Sequence, residues 1–181
     1  MKPTPLLTTF ALLAALCLPL RAADKIEEEF AQLKKETTET IDLFRKIDPT
    51  MKKFFDQSAG YVVFPAIAKG GFVVGAAHGK GIVFENGKII GEASVTQVTI
   101  GAQIGGQVLR EIVFFETKEA LARFKESRAT ISAQISAVAA AEGAGEKARY
   151  EENVAVFTRP KEGLMAEASI GGQKFKFTPI K

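Results

Sequence analysis

The single histidine is the most obvious candidate for chemistry in this chain. His78 lies in the glycine-rich segment 75–81. After residue 22 the chain has no cysteine. A zinc or other transition-metal site built on one histidine would then need three carboxylates around it, and the sequence shows no such cluster. We therefore interpret His78 as a polar residue of a glycine-rich turn. We expect no metal and no cofactor.

Two glycine-rich stretches resemble nucleotide-binding loops only superficially. The phosphate-loop pattern Gly-x4-Gly-Lys-Ser/Thr would need a glycine at Val74 and a hydroxyl group at Gly81. In the segment 101–106, the second glycine of a dinucleotide fingerprint is displaced and no helix is predicted to follow. These glycines are better explained as places where strands bend, bulge or approach one another closely.

No catalytic nucleophile has an evident partner. None of the serines after residue 22 lies in a Gly-x-Ser-x-Gly elbow, and a triad would have to use His78 as its base. Most carboxylates fall on predicted helix surfaces or beside turns, where solvated charge explains them. The sequence therefore predicts a protein that is not an enzyme. A small enzyme with paired acid and base carboxylates is the open alternative.

Lysines beside glycine-rich turns and before two phenylalanines are the candidates for lipid binding. In one interpretation the lysines keep the fold soluble and the phenylalanines are core. In the other, three or four lysines at an anionic leaflet contribute about 3–4 kcal/mol, and two inserted phenylalanines add about 1.5–3 kcal/mol each. Lipid binding therefore requires apolar surface as well as lysines. The candidates are Lys69, Lys80, Lys88, Lys52, Lys53, Phe54 and Phe55.

The N-terminus has the three-part layout of a secretory signal. Lys2 precedes an apolar run from Leu6 to Leu20, and small residues follow at Ala22 and Ala23. The run is shorter than the roughly 20 apolar residues that a permanent anchor needs. We expect a cleavable signal peptide at 1–22, a single domain at 23–181, and a periplasmic or secreted location.

A lipoprotein is the alternative outcome of export. Cys17 lies where an acylated cysteine could stand, but Leu16 precedes it, and lipoprotein processing prefers a small residue there. Because Cys17 is the only cysteine and lies in the predicted signal, the mature chain would have no thiol and no disulfide.

The charge balance disfavours nucleic acid as a partner. The chain has 24 basic and 21 acidic residues, and removing Lys2 and Arg21 with the signal leaves 22 against 21. A net charge of +1 does not draw a protein onto nucleic acid or an anionic surface. Any electrostatic docking must therefore come from a local patch.

Apolar residues at three- and four-residue steps from Asp24 to Lys46 predict an amphipathic helix with an acidic first turn and a basic last turn. Asp48 and Pro49 should end it and start a short helix through Phe55. A further helix is expected over 118–126, capped by Thr117. The segment 139–150 is predicted to be a loop or a short helix.

Strands are predicted from residue 60 onward. The pair Asn86-Gly87 between two β-branched runs is a strong hairpin signal, and Gly171-Gly172 predicts a second hairpin. Short strands are expected at 61–64, 71–74, 81–85, 88–91, 93–100, 107–115, 131–138 and 153–157. The fold class is α+β: a large, mostly antiparallel sheet that can curl toward a barrel, with an N-terminal amphipathic helix and one or two further short helices.

The ordered motifs resemble a known family. The run YVVFPAIAKGGFVVGAAHGKGIVFENGKIIGEASVTQVTIGAQIGGQ from Tyr61 is followed by EIVFF at 111–115 and GLMAEASIGGQ at 163–173. Together they are similar to bacterial members of the SYLF domain family, which is also described through a yeast actin-patch protein. The resemblance extends from about Lys53 to Phe177.

This resemblance implies lipid binding. Eukaryotic members bind phosphoinositides and couple membranes to actin, whereas bacterial members are exported. We expect a phospholipid or membrane surface as the partner, but neither phosphoinositide specificity nor actin. The helix over 24–46 opens with acids, and an exported protein would not meet actin. In the family motif, Lys69 and Lys80 hold the positions proposed to meet a lipid phosphate. The alternative is a structural or partner-binding protein of the cell envelope that presents a sheet edge or apolar patch.

Overall fold

The N-terminal helix is longer than the sequence predicted. The computed structural model describes residues 17–126, 130–131 and 137–180, and helix α1 runs from Cys17 to Ile47. The predicted acidic first turn is wrong, because the helix begins well before Asp24. The basic last turn, with Arg45 and Lys46, is confirmed. Most of the predicted signal segment 1–22 lies outside the described residues.

Only the C-terminal half of α1 packs closely on the sheet. Thr37, Thr40 and Phe44 are buried, with at most 1% of each residue exposed. Toward the other end, Phe30 is half-buried and Ile26 is 68% exposed. The apolar stripe of α1 is therefore divided into a core part and a surface part.

A short helical segment follows α1, as Asp48 and Pro49 predict. A 3-10 helix covers Pro49–Met51 and helix α2 covers Lys52–Gln57. The backbone N–H of Thr50 donates to Asp48 Oδ1 at 3.0 Å, which satisfies one of the unpaired donors at the start of the segment.

Three long strands form the body of the protein. The hairpin between the first two turns at Asn86 and Gly87, whose φ angles of 51° and 73° are both left-handed, so the predicted tight turn is confirmed. The elements after α2 are β1 (Gly60–Glu85), β2 (Lys88–Phe115), α3 (Lys118–Lys125), β3 (Thr130–Ile131), β4 (Ala137–Ala139), α4 (Ala144–Lys147) and β5 (Val154–Pro179).

The predicted division into many short strands is wrong. The runs expected at 61–64, 71–74 and 81–85 belong to β1 alone, and those at 88–91, 93–100 and 107–115 belong to β2. The expected hairpin at Gly171-Gly172 does not exist, because β5 continues through it and pairs these glycines with Thr99 and Val98. The glycines lie where strands bend, not where they end.

The two smaller helices match the sequence. Helix α3 is capped by Thr117, whose hydroxyl oxygen accepts from the N–H of Ala120 at 3.2 Å. Helix α4 is the short helix within 139–150. The strand expected at 131–138 is represented by β3 and β4, and residues 132–136 lie outside the described residues.

The sheet is five-stranded and mostly antiparallel, which confirms the α+β class. Its order is β1-β2-β5-β3, and β4 pairs with β5 in parallel. The sheet does not close into a barrel. No helix among the described residues combines the length and the apolar character needed to cross a bilayer.

The long strands double back, so that the two ends of β1 face each other. A Cβ atom built on Gly81 would lie 2.5 Å from the carbonyl oxygen of Val63 and 2.6 Å from the ring of Phe64, although these residues share one strand. Each long strand therefore has two arms joined by a bend near its middle. The inner surfaces of the arms pack on each other.

Two cores hold the arms in place. The inner core lies between the arms, and helix α3 packs against it at the end away from the bend. Its members include Phe64, Val95, Phe115, Phe124 and Phe175. The outer core lies between helices α1, α2 and α4 and the arms that contain residues 60–64, 111–115 and 154–158. Its members include Phe44, Phe54, Ile112, Phe114 and Phe157.

Replacing Gly81 with alanine should destabilise the fold, because the new methyl group would force the two arms of β1 apart. We expect the free energy of unfolding to fall by about 1–3 kcal/mol, the usual cost of overpacking. Urea denaturation measures this change. Gly106→Ala is the matched control, since its Cβ would lie 3.6 Å from its nearest neighbour. Equal losses in both variants would contradict the close approach of the arms.

Candidate functional site

The two phenylalanines predicted to meet lipid are core residues. Phe54 is only 2% exposed, and its ring lies 5.0 Å from that of Phe157. Phe55 is half-buried and packs edge-on against Tyr61 and Phe114, with ring centroids 5.3 and 4.9 Å away. This packing favours the interpretation that places Phe54 in the core and Phe55 against it.

The five predicted lysines lie in different parts of the molecule. Lys52 pairs with Asp56 on α2, and the Lys53 ammonium lies 5.1 Å from the Phe54 ring centroid. Lys88 is exposed beside the hairpin turn. The other two lysines lie on β1, Lys69 before the bend and Lys80 after it. Lys80 Nζ lies 3.3 Å from Glu29 Oε2 of α1, and Lys69 is half-buried.

The bend of the long strands carries a concentrated apolar surface that sequence reasoning missed. Of the eight large apolar residues that are exposed among those described, six lie there. They come from β1 and β2, and each is between 54% and 73% exposed. We call this surface the apex; its residues are Phe72, Val73, Val74, Val98, Ile100 and Ile104.

Strand pairing makes the apex continuous. Phe72 pairs with Ile104 and Val74 pairs with Ile100, so each pair lies side by side on one face. Val98 follows on the same face, two residues from Ile100. Apolar surface this concentrated on a monomer is typical of a site that binds another molecule or a membrane.

The interior beneath the apex is polar. Thr99 and Gln103 are 2% and 5% exposed, and the Thr99 hydroxyl donates to Gln103 Oε1 at 2.8 Å. Deeper between the arms, Gln173 Nε2 donates to Glu111 Oε2 at 2.9 Å. This part of the protein is therefore apolar outside and polar inside, the reverse of the usual arrangement of a protein surface in water.

Glu111 is a fully enclosed carboxyl group. It is 2% exposed, and its Oε1 atom has no hydrogen-bond partner. Burial raises its pKa to about 7, although the hydrogen bond from Gln173 and the positive charge of Lys69 both oppose that rise. The protonation state of Glu111 therefore changes near neutral pH.

A group of cations stands behind the apex on its outer face. Lys80 pairs through Ser94 with Lys176, and His78 pairs through Thr96 with Lys174, so that the side chains in each row share one face. At about 3.4 Å per residue, the Lys174 row lies about 13 Å from the Val74–Ile100 pair. We call Lys80, Lys174 and Lys176 the basic collar. Sequence reasoning found only Lys80 of the three.

A second apolar feature is the open cleft under the N-terminal half of α1. Its volume is about 910 Å³, and its apolar lining includes Ile26, Phe30 and Leu33. Four carboxylates and three lysines also line it, and Glu29 pairs with Lys80 at its rim. The cleft therefore has no excess of positive charge to attract an anionic leaflet.

The candidate metal ligands do not cluster in the part of the chain that the structure describes. No three His, Cys, Asp or Glu side chains among them converge on one point. His78 is exposed, and its Nδ1 lies 3.5 Å from Thr96 Oγ1 on the outer face of the sheet.

One signal in the sequence could have revealed the site. The alternation Val74, Ala76, His78, Lys80 runs from apolar to basic along a single face of one strand. Read as one long strand, it predicts an apolar tip with cations behind it. The expectation of two separate short strands at 71–74 and 81–85 hid this pattern.

Comparisons with known proteins agree with the resemblance that the motifs indicate. Residues 96–178 match the family described as Las17-binding protein actin regulator, Ysc84. A protein of Aeromonas veronii described as beta cell expansion factor A is 28% identical over 170 residues, covering 86% of this chain. This chain spans 64% of the length of that relative.

Proposed function

We propose that this chain, whose residues 96–178 match the family described as Las17-binding protein actin regulator, is a SYLF-family protein that acts as an exported, non-catalytic module and binds phospholipid membranes through the apex. The observation that carries the proposal is the concentration of six exposed apolar side chains at one end of the molecule. The proposed location is the periplasm or the cell exterior, after removal of residues 1–22.

The apex can supply the free energy that membrane attachment needs. Six large apolar side chains, each roughly 60% exposed, would contribute about 5–11 kcal/mol if their exposed area left water. A micromolar attachment needs about 8 kcal/mol. Apolar insertion is therefore strong enough to be the main term, in contrast to lysines acting alone.

The basic collar suits the orientation that this insertion imposes. When a membrane-active surface buries its apolar part about 5–10 Å into the boundary between headgroups and acyl chains, the groups just behind it meet the headgroups. Lys174 lies on the same outer face, about 13 Å behind the Val74–Ile100 pair. Each lysine near an anionic leaflet adds about 1 kcal/mol, so we propose a preference for anionic phospholipid.

Replacing Ile100 with serine should weaken binding of the purified mature protein, residues 23–181, to anionic phospholipid vesicles about tenfold, since an exposed isoleucine is lost from the inserting surface. Flotation with vesicles of phosphatidylglycerol and phosphatidylcholine measures the change. Ile26→Ser is the matched control, because Ile26 on α1 is also 68% exposed, as Ile100 is. We expect that variant to bind as the wild type does.

The salt dependence of vesicle binding distinguishes apolar insertion of the apex from electrostatic attraction by the basic collar. Binding that persists in high salt supports apolar insertion, whereas binding lost in high salt and in Lys174→Glu/Lys176→Glu would assign the main term to the collar. If Ile26→Ser lost binding and Ile100→Ser kept it, α1 would be the membrane surface. Failure of the wild-type protein to bind any vesicle would move the alternative, a partner-binding protein of the envelope, to first place.

A further inference from the structure

Val73 has a backbone conformation that a β-branched residue rarely adopts. Its φ angle is 66°, in the left-handed region, where the β-carbon crowds the following carbonyl group. Among the described residues, the other non-glycine residues with positive φ are Asn86, Glu152 and Asn153, none of which is β-branched. Val73 lies at the register shift between Phe72 and Val74, and 54% of it is exposed.

Burial does not explain why a valine stands there. An exposed residue in a left-handed turn is most stable as glycine or asparagine, because glycine has no β-carbon and asparagine tolerates the region. Val73 is a member of neither core. The strained valine therefore lowers stability while it adds apolar surface at the tip of the apex. Strain of this kind is concentrated at functional sites.

The polar interior holds this conformation in place. Gln103 Nε2 donates to the carbonyl oxygen of Val73 at 3.1 Å and to that of Thr99 at 3.3 Å. Gln103 Oε1 accepts from the Thr99 hydroxyl at 2.8 Å. Gly75 gives the amide its space, since a Cβ there would lie 2.3 Å from Gln103 Oε1. Both the nitrogen and the oxygen of the buried Gln103 amide therefore form hydrogen bonds at the bend.

We infer that Val73 and Gln103 form a preset membrane wedge, in which the buried amide of Gln103 fixes a strained backbone so that the Val73 side chain projects into the acyl region of a phospholipid bilayer. This inference rests on the proposed function and assigns two residues to it. Val73 touches the lipid. Gln103 is a positioning residue that acts through Val73 and meets no lipid itself.

The wedge lowers stability and raises membrane affinity. Removing it should therefore raise Tm and weaken vesicle binding. Val73→Gly should raise Tm by about 2–4 °C, because it relieves the strain in a domain of this size. It should also lower binding to phosphatidylglycerol vesicles about tenfold, because the apolar side chain is lost. Val74→Gly is the matched control, since Val74 is 57% exposed and its φ is not positive. That variant should lower both vesicle binding and Tm.

A double-mutant cycle tests the role assigned to Gln103. Gln103→Met keeps the length of the side chain and removes its hydrogen bonds, so it should weaken vesicle binding several-fold in the wild-type background. In the Val73→Gly background it should cause no further loss of binding, although Tm falls in both. Equal losses of binding in the two backgrounds would overturn the positioning role.

Vesicle binding by the wild-type protein distinguishes failure of this inference from failure of the proposed function. If the wild type binds vesicles and Val73→Gly binds equally well, the wedge is overturned while membrane binding stands. If Val73→Gly lowers Tm as Val74→Gly does, the strain is overturned. If the wild type binds no vesicles, the proposed function fails and the wedge fails with it.

Discussion

Replacing Glu111 with glutamine is expected to remove most of the pH dependence of stability between about pH 5 and pH 8. In the wild type, burial raises the pKa of Glu111 to about 7, above the ordinary value of 4.5. The folded state therefore holds the proton more tightly than the unfolded state. The stability that protonated Glu111 contributes is fully present below its ordinary pKa of 4.5 and is lost as the pH rises through about 7.

The size of this effect follows from the separation of the two pKa values. A difference between 4.5 and about 7 corresponds to about 3 kcal/mol. At pH 8 the glutamine variant should therefore be more stable than the wild type by about 3 kcal/mol, since it carries no charge to bury. At pH 4 the two should be similar. Urea denaturation across this pH range measures both stabilities.

Two groups facing Glu111 affect the interpretation. Gln173 on β5 donates to its carboxylate, and Lys69 on β1 supplies a nearby positive charge. Glu162→Gln, on the exposed surface of β5, is the control and should leave the pH profile unchanged. A wild-type protein that becomes more stable from pH 5 to pH 8 would contradict the burial of a neutral Glu111.

Replacing Asp48 with alanine is expected to cost about 3–5 kcal/mol, because it leaves several buried donors without an acceptor. Asp48 is fully buried between α1 and α4. Its carboxylate accepts from the N–H and the hydroxyl of Thr50, and from the N–H of Gly145 on α4. One side chain therefore joins two parts of the chain that are far apart in sequence.

The same contacts give Asp48 a pH dependence opposite to that of Glu111. Burial alone would raise its pKa, but hydrogen bonds from Thr50, Gly145 and Gly143 outweigh burial and lower it. Its contribution to stability is therefore present above the ordinary pKa of 3.8 and is lost as the pH falls through the lowered value. Thermal unfolding of Asp48→Ala near pH 7 measures the loss.

Asp56→Ala is the matched control for Asp48→Ala. Asp56 lies nearby on α2, but its side chain is 51% exposed and forms an ion pair with Lys52. Exposed pairs of this kind contribute about 0–1 kcal/mol. Similar destabilisation in both variants would show that Asp48 does not join α4 to the end of α1.

The local elements could be predicted because short-range patterns decide them. Thr117 caps α3 through a hydrogen bond three residues away, and Pro49 starts the 3-10 helix after Asp48. Asn86 and Gly87 tolerate the left-handed angles that the hairpin needs. These signals act within a few residues, so the sequence alone expresses them.

The lengths of the strands could not be predicted in the same way. Glycine both ends strands and permits close approach inside them, and the sequence does not distinguish these uses. At Gly81 the reason for the glycine is the carbonyl of Val63, which the bend of β1 brings close. The error at Gly171-Gly172 has a similar origin. Both glycines pair with residues of β2, and this pairing keeps β5 continuous there.

The candidate site, like the fold, could be predicted only in part from the sequence. From the sequence we expected lipid binding to need apolar surface in addition to lysines. Phe54 and Phe55 were the candidates for that surface, with the core as their alternative place; Phe54 is buried in the outer core and Phe55 packs against it half-buried. The exposed surface comes instead from Val74, Ile100 and their neighbours, which read as ordinary core residues of strands.

The sequence by itself determined the helix signals, the tight hairpin, the α+β class and the family resemblance. Each of these depends on residue type and spacing along the chain. The tertiary structure alone decided which side of each strand faces water, because that choice depends on how the long strands double back. Doubling back puts Thr99, Gln103 and Glu111 inside and leaves Val98, Ile100 and Ile104 outside. The bend thereby turned residues with core composition into an exposed surface.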